Sequence, residues 1–372
     1  MVDIISDNII SPLGFSTEQN YTAAKAGVSA VKTFDGYCAA SINNKMLDGA
    51  FSDNFSLNPA KYTKVEKAAM LSLKSALDNC DVDFSDPKTA FYFSTTKGNV
   101  ELLDSGDLTN PNIHLWHTAQ QIANFFGNKN TPIVVSNACI SGLSAMIAAA
   151  RALNSHRIDT AVVTGVDMLS KFVVSGFSCL KALSLNPCRP FDIERTGLNL
   201  GEAAATVVMR RSEGKNHFPK LLDGYISNDA YHISSPSKTA EGSYQVLHNV
   251  LSSGCSIEDL AFINAHGTST LYNDEMEAVA INRAGLNTVP VNSLKAIFGH
   301  TLGAAGLLES IISIRALIDN TVLKTVNYTT PGVSKKINVV GGVNQSTDKS
   351  YFIKLISGFG GCNAAALFRK GE

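Results

Sequence analysis

The chain is poor in cysteine, and the seven it has are scattered over 372 residues without a C-x-x-C pair or the spacing of a metal-binding cluster. An odd, scattered set suits neither a disulfide framework nor a zinc site. It fits reduced thiols, so a cytoplasmic location is expected. Net charge is almost absent as well, at −1, and only 17% of residues are charged. Without a basic footprint, nucleic acid is excluded as the main partner. No uninterrupted apolar run reaches the ~18 residues that a membrane span needs, so none is expected. The opening MVDIISDNIISPLG holds Asp3 and Asp7 and no basic stretch, so no secretory signal is expected either. Neither a nucleotide-binding fingerprint nor a ligand cluster appears, and no metal or dissociable cofactor is expected. What the chain does have is apolar residues, 45% of the total, enough for one large α/β unit or two domains.

Strand-like and helix-like segments alternate. Val2 to Ile10, Thr89 to Thr95, Ile133 to Val135, Thr160 to Thr164, Ala203 to Met209, Asp259 to Ala265, Thr288 to Val291 and Tyr351 to Ile356 read as strands. Thr17 to Ala26, a stretch from Asn58-Pro59 to Asn79, and Trp116 to Phe126 read as helices. Residues 33–58, 98–113 and 211–219 are polar and expected to be irregular. Such alternation implies mainly parallel sheets covered by helices on both faces, with sites at the C-terminal ends of strands.

The stretch TPIVVSNACISGLSAMIAAARAL carries Cys139 on a strand-to-helix turn, where free N–H groups and the helix dipole favour a thiolate. From this stretch alone Cys139 reads more readily as a small buried hydrophobe. The later stretch PVNSLKAIFGHTLGAAGLLESIISIRAL echoes it, with His300 in the corresponding place. LGEAAATVVMR is echoed by GGCNAAALFRK in the same order, so the chain reads as a duplicated α/β unit. His266, in NAHGTST, ends a further strand and taken singly reads as a structural histidine. Lys61, Lys64 and Lys67 recur every third residue, the pattern of a solvated helix face.

Six motifs now stand in one order: ACISG around Cys139, RPFDIERTGLNLGE from Arg189, DAYHISSP from Asp229, NAHGTSTLYND from Asn264, NSLKAIFGHTLGAAG from Asn292, and GFGGCNA from Gly358. In these the chain resembles the β-ketoacyl synthases, the decarboxylating condensing enzymes of the thiolase superfamily. The resemblance implies a thiolase-like, duplicated αβαβα layered fold with two mostly parallel mixed sheets. Residues 1–220 would form the half with the nucleophile and 221–372 the half with two catalytic histidines. Cys139 would accept the acyl group, and His266 and His300 would act on a malonyl extender unit. Lys295 would serve beside them with Glu277 as its acidic partner, and the Phe359 backbone N–H would complete an oxyanion hole. Phe177, Thr268, Thr270, Gly358 and Gly360 would contact substrate, and Lys61, Lys64 and Lys67 would meet an acyl carrier protein.

The resemblance further implies an acyltransferase that condenses acyl and malonyl thioesters, in fatty acid or polyene/polyketide-type biosynthesis. It would need no cofactor beyond the phosphopantetheine of the carrier and would work as a homodimer or a heterodimer with a related synthase. Two other readings are a chain-length-factor-like partner subunit, which lacks the cysteine, and an initiating synthase that uses free coenzyme A esters, which expects another residue at His300. The glycine-rich run usual after the second strand reads STTKGNVE here, and GGxE reads GVDM. These departures fall around the dimer-forming and pocket-shaping parts, so the resemblance fixes neither substrate length nor partner choice.

Overall fold

Ten strands of one sheet repeat a single pattern twice in the computed structural model, which describes residues 1–34, 36–106, 108–214 and 216–372. The first five are β1 Val2–Ile10, β2 Thr89–Ser94, β3 Ile133–Val135, β4 Thr160–Asp167 and β5 Ala203–Arg211. The second five are β6 Lys220–Asn228, β7 Leu260–Asn264, β8 Pro290–Asn292, β9 Tyr351–Gly358 and β10 Cys362–Arg369. Their order across the sheet is β3-β2-β4-β5-β1 and then β6-β10-β9-β7-β8, with the short strand Asn338–Val339 beyond β8. β2 pairs in parallel with β3 and β4, while β4, β5 and β1 follow antiparallel. The same holds for β7 with β8 and β9, and for β9, β10 and β6. Each half is thus a mixed sheet. The two expected sheets are continuous through one short contact, where Val2 and Asp3 pair with Leu221 and Lys220.

Helices make the other layers. α1 Lys64–Asp78 covers the outer face of the first half, and α4 Glu241–Leu251 that of the second, with α5 Leu271–Arg283 beside it. Between the halves lie α2 Ser141–Asn154 and α6 Ala305–Ile318. α3, Lys171–Cys179, stands apart at the edge of the site. α2 and α6 are apolar on almost every side because each touches strands of both halves and the other helix. Glycines bring them together. A Cβ on Gly142 would stand 2.8 Å from the Gly303 carbonyl oxygen, and one on Gly306 2.5 Å from the Leu143 nitrogen. The largest core cluster is built around this pair.

One irregular-looking region turns out ordered, and one expected helix is split. Residues 33–58 contain two short strands and a helix, Asn44–Phe55, capped by Asn43 and anchored by Leu47 and Phe51. The helix expected from Asn58 is split. Pro59–Lys61 is a 3-10 turn, and α1 starts afresh where Thr63 and Glu66 cap each other's backbone N–H. Asp35, Asp107 and Lys215, in segments expected to be irregular, lie outside the described residues. No helix among those described is long and apolar enough to cross a membrane.

Candidate active site

Three strand ends feed one cavity. After β3 the chain passes Ala138, which holds a left-handed φ of 44°, and reaches Cys139 two residues before α2. That conformation is costly outside glycine and persists only where its surroundings hold it. Ser141 does so: its hydroxyl donates to the Ala138 carbonyl at 2.6 Å and accepts the Asn137 N–H at 2.8 Å. After β7 comes His266, whose N–H and that of Gly267 each donate to a Glu277 carboxylate oxygen at 2.7 Å. The Ser293 hydroxyl donates to the Gly267 carbonyl at 2.8 Å. After β8 comes His300, whose N–H donates to the Asn199 carbonyl at 2.7 Å and whose carbonyl accepts the Gly201 N–H at 3.0 Å. Gly299 makes this approach possible, since a Cβ there would stand 2.3 Å from the Leu200 carbonyl oxygen.

The two imidazole rings meet edge to face, 4.9 Å between centroids at 81°. The Cys139 sulfur and one nitrogen of each ring all lie within 4.8 Å of one another. Both Nδ1 atoms are buried without a hydrogen-bond partner among the described residues. Burial, then the ammonium of Lys295, holds both histidines well below 6.5, so they are neutral. Thiol and imidazoles form a possible zinc donor set. The buried ammoniums of Lys295 and Lys354 oppose a dication there.

Cys139 does not rest as a thiolate. Burial pushes its thiol up to about 11; Lys97 and Lys295 pull the other way, as does a hydrogen bond from the Phe359 N–H. The helix N-terminus expected to ionise it is outweighed by removal from water. A nearby neutral imidazole can take the proton instead.

Lys295 does not pair with Glu277. Its ammonium bonds Glu309 of α6, and Lys354 of β9 reaches the other oxygen of the same carboxylate at 2.6 Å. Burial raises the Glu309 carboxyl, but its two lysines, Lys295 first, hold it below the usual range. Among the described residues no cation pairs with Glu277, and burial and then Asp274 push it up to about 7. Lys354 also donates to the carbonyls of Asn264, Ala265 and Leu355, under the segment that delivers His266. Burial lowers it to about 8.

Cys139 stands where two cavities meet. One, of about 270 Å³, is lined by His266, His300, Thr268, Thr270 and Gly358. The other, of about 290 Å³, extends behind the sulfur between Lys97, Val173 and Leu302. Phe177 and Phe359 line both, their rings stacked at 5.5 Å. Gly360 lies outside both linings. Its N–H bonds the Ile233 carbonyl and its carbonyl accepts from Asn228, so it fixes a loop rather than a substrate. The lysine trio is no solvated patch. Lys64 is bound to Glu202 at 2.5 Å and Lys67 to Asp48 at 2.5 Å, which leaves Lys61, on the 3-10 turn, exposed. Glu309, Lys354 and Lys97 escaped the sequence reading. A lone charge inside LLESIISI or YFIKLIS is the signal that could have found the first two, because a charge is buried only with a partner.

The family models for the N-terminal and C-terminal domains of β-ketoacyl synthase match residues 90–214 and 220–329. The chain is similar to the 3-oxoacyl-[acyl-carrier-protein] synthase 2 of Rhizobium meliloti, 28% identical over 417 aligned residues that cover 99% of this chain and 98% of that one. Its structure is similar to a β-ketoacyl synthase from Burkholderia phymatum, with a TM-score of 0.89 at 26% identity over 100% of this chain and 99% of that one. A ketosynthase in complex with its chain length factor, from Xenorhabdus doucetiae, shares the fold with a TM-score of 0.86 at 21% identity over 100% and 98% of the two chains.

Proposed function

Because the chain belongs to the β-ketoacyl synthase family of acyl-transferring condensing enzymes, we propose that it is a 3-oxoacyl-[acyl-carrier-protein] synthase that joins an acyl group held on Cys139 to a malonyl thioester. The observation that carries this reading is the convergence of one thiol and two neutral imidazoles, within 4.8 Å, on a cavity. In the first step the Cys139 sulfur bonds the acyl carbonyl, its proton passes to an imidazole, and the carrier's thiol leaves with that proton. The Phe359 and Cys139 N–H groups hold the oxyanion. In the second step the malonyl carbon–carboxylate bond breaks and carbon dioxide leaves. The electron pair collects on the thioester oxygen, where His266 and His300, both neutral, donate N–H bonds worth roughly 3–4 kcal/mol each. The enolate carbon then attacks the acyl carbonyl. The Cys139 sulfur departs as thiolate and regains a proton from solvent. The carrier's phosphopantetheine is the only prosthetic arm required.

Acyl carrier protein is the partner this chemistry needs. A second copy or a related synthase would complete a dimer, in the cytoplasm where thiols stay reduced. A chain-length-factor role is disfavoured by Cys139 itself, since such subunits lack the nucleophile. Intact mass after incubation with acyl-carrier thioesters tests the reading. The expected outcome is a gain of one acyl group, abolished in Cys139→Ala. A wild-type chain that stays unmodified with every carrier and coenzyme A donor would reassign it as a non-catalytic partner.

A further inference from the structure

In the duplicated fold, the strand end matching the one that delivers His266 is the end of β2, at Ser94. The chain there runs Thr95-Thr96-Lys97, and it too opens onto Cys139. Asp167 anchors the turn: it accepts the Thr95 hydroxyl at 2.9 Å, the Thr96 N–H at 2.9 Å and the Thr96 hydroxyl at 2.8 Å. Lys97 is half-buried, and among the described residues its ammonium has one partner, the Thr96 hydroxyl at 2.7 Å, and no carboxylate. An ammonium has three donors. Apart from Thr96, whose hydroxyl already donates to Asp167, the rest of the wall behind Cys139 is apolar, made chiefly by Phe172, Val173, Phe177 and Leu302. A plain alkyl chain entering it would strip water from the free donors and return nothing, whereas an acceptor oxygen would satisfy one of them.

We propose that Lys97 makes the cavity behind Cys139 selective for acyl groups that carry an acceptor oxygen, keto or carboxylate, over unsubstituted alkyl chains. This rests on the acyl-transfer reading above. The charge of Lys97 also acts on Cys139 and His300. That effect speeds or slows every donor alike, so it cancels in a ratio between donors.

The test is the rate of Cys139 acylation, followed by intact mass, from hexanoyl, 3-oxohexanoyl, 5-oxohexanoyl and adipoyl thioesters of one carrier. An oxygen-bearing donor is expected to outrun hexanoyl, and Lys97→Met to cut that ratio about tenfold, the scale of one charge-assisted hydrogen bond. Lys97→Arg should keep the preference, and Lys97→Gln gives a second neutral variant if the methionine form does not fold. The winner among the keto and adipoyl arms identifies whether the acceptor is neutral or anionic. Hexanoyl as the fastest donor, or a ratio unchanged in both neutral variants, overturns the proposal alone. No labelling from any donor overturns the acyl-transfer reading and this proposal with it.

Discussion

Glu309 is the residue on which the electrostatics of the site turn. It is buried, sits in an apolar helix, and is the shared counterion of Lys295 and Lys354. The positive excess left over by two ammoniums on one carboxylate helps keep His266 and His300 neutral, which the N–H donors of a decarboxylation site require. Removing a buried charge that others depend on costs far more than the net worth of the pair. Glu309→Gln is therefore expected to lower unfolding free energy in urea by about 3–5 kcal/mol. The double variant with Lys354→Met should recover part of that loss, because it leaves one stranded ammonium instead of two. A single variant within about 1 kcal/mol of wild type, below the range for a broken buried pair, would mean that the cluster is not held by this carboxylate.

Helices α2 and α6 show what could be read before the structure and what could not. Their small-residue composition and their place after a strand are plain in the sequence, and so is the echo that sets Cys139 and His300 at corresponding strand ends. Strands with continuous apolar runs were equally legible. β6 was not, because Asp223, Ser227 and Asn228 interrupt KLLDGYISN, and neither was Asn44–Phe55, whose buried side is only Leu47 and Phe51. The partner of Lys295 stayed hidden for another reason. Two acids, Glu277 and Glu309, lie at similar distances along the chain, and only the packing of α6 under the site chooses between them. The contact between α2 and α6 is tight enough to test that packing. A methyl on Gly306 would meet the Leu143 backbone nitrogen at 2.5 Å, which no side-chain rotation relieves. Gly306→Ala should cost about 1–3 kcal/mol of stability by overpacking. The same substitution at Gly49, inside the helix Asn44–Phe55 where a Cβ meets nothing within 4 Å, is the control for chain-entropy effects. Equal denaturation midpoints for the Gly306 variant and wild type would show that the helices can part without penalty.

The two halves of the sheet end differently, and this bears on assembly. Beyond β8 the second half is closed by Asn338–Val339, whereas the first half stops at β3 with one side of that strand unpaired among the described residues. Ile133 on that strand is 44% exposed, and the neighbouring helix Leu115–Phe125 leaves Trp116 and Phe125 exposed beside it. An open edge with apolar side chains is a template for pairing and is seldom left bare in a stable monomer. A twofold pairing of β3 with the β3 of a second copy closes both edges at once, because the same patch serves both partners. Sedimentation velocity at micromolar concentration is expected to give a two-chain species for wild type. Ile133→Lys should shift it to one chain, since a like charge would then face itself across the axis. Because Ile133 is nearly half exposed at the sheet edge, the variant's own fold should melt near the wild-type temperature. A wild-type chain that sediments alone would exclude self-pairing at this edge. Restoration of a two-chain species by an added related synthase would then assign β3 to a heterodimer.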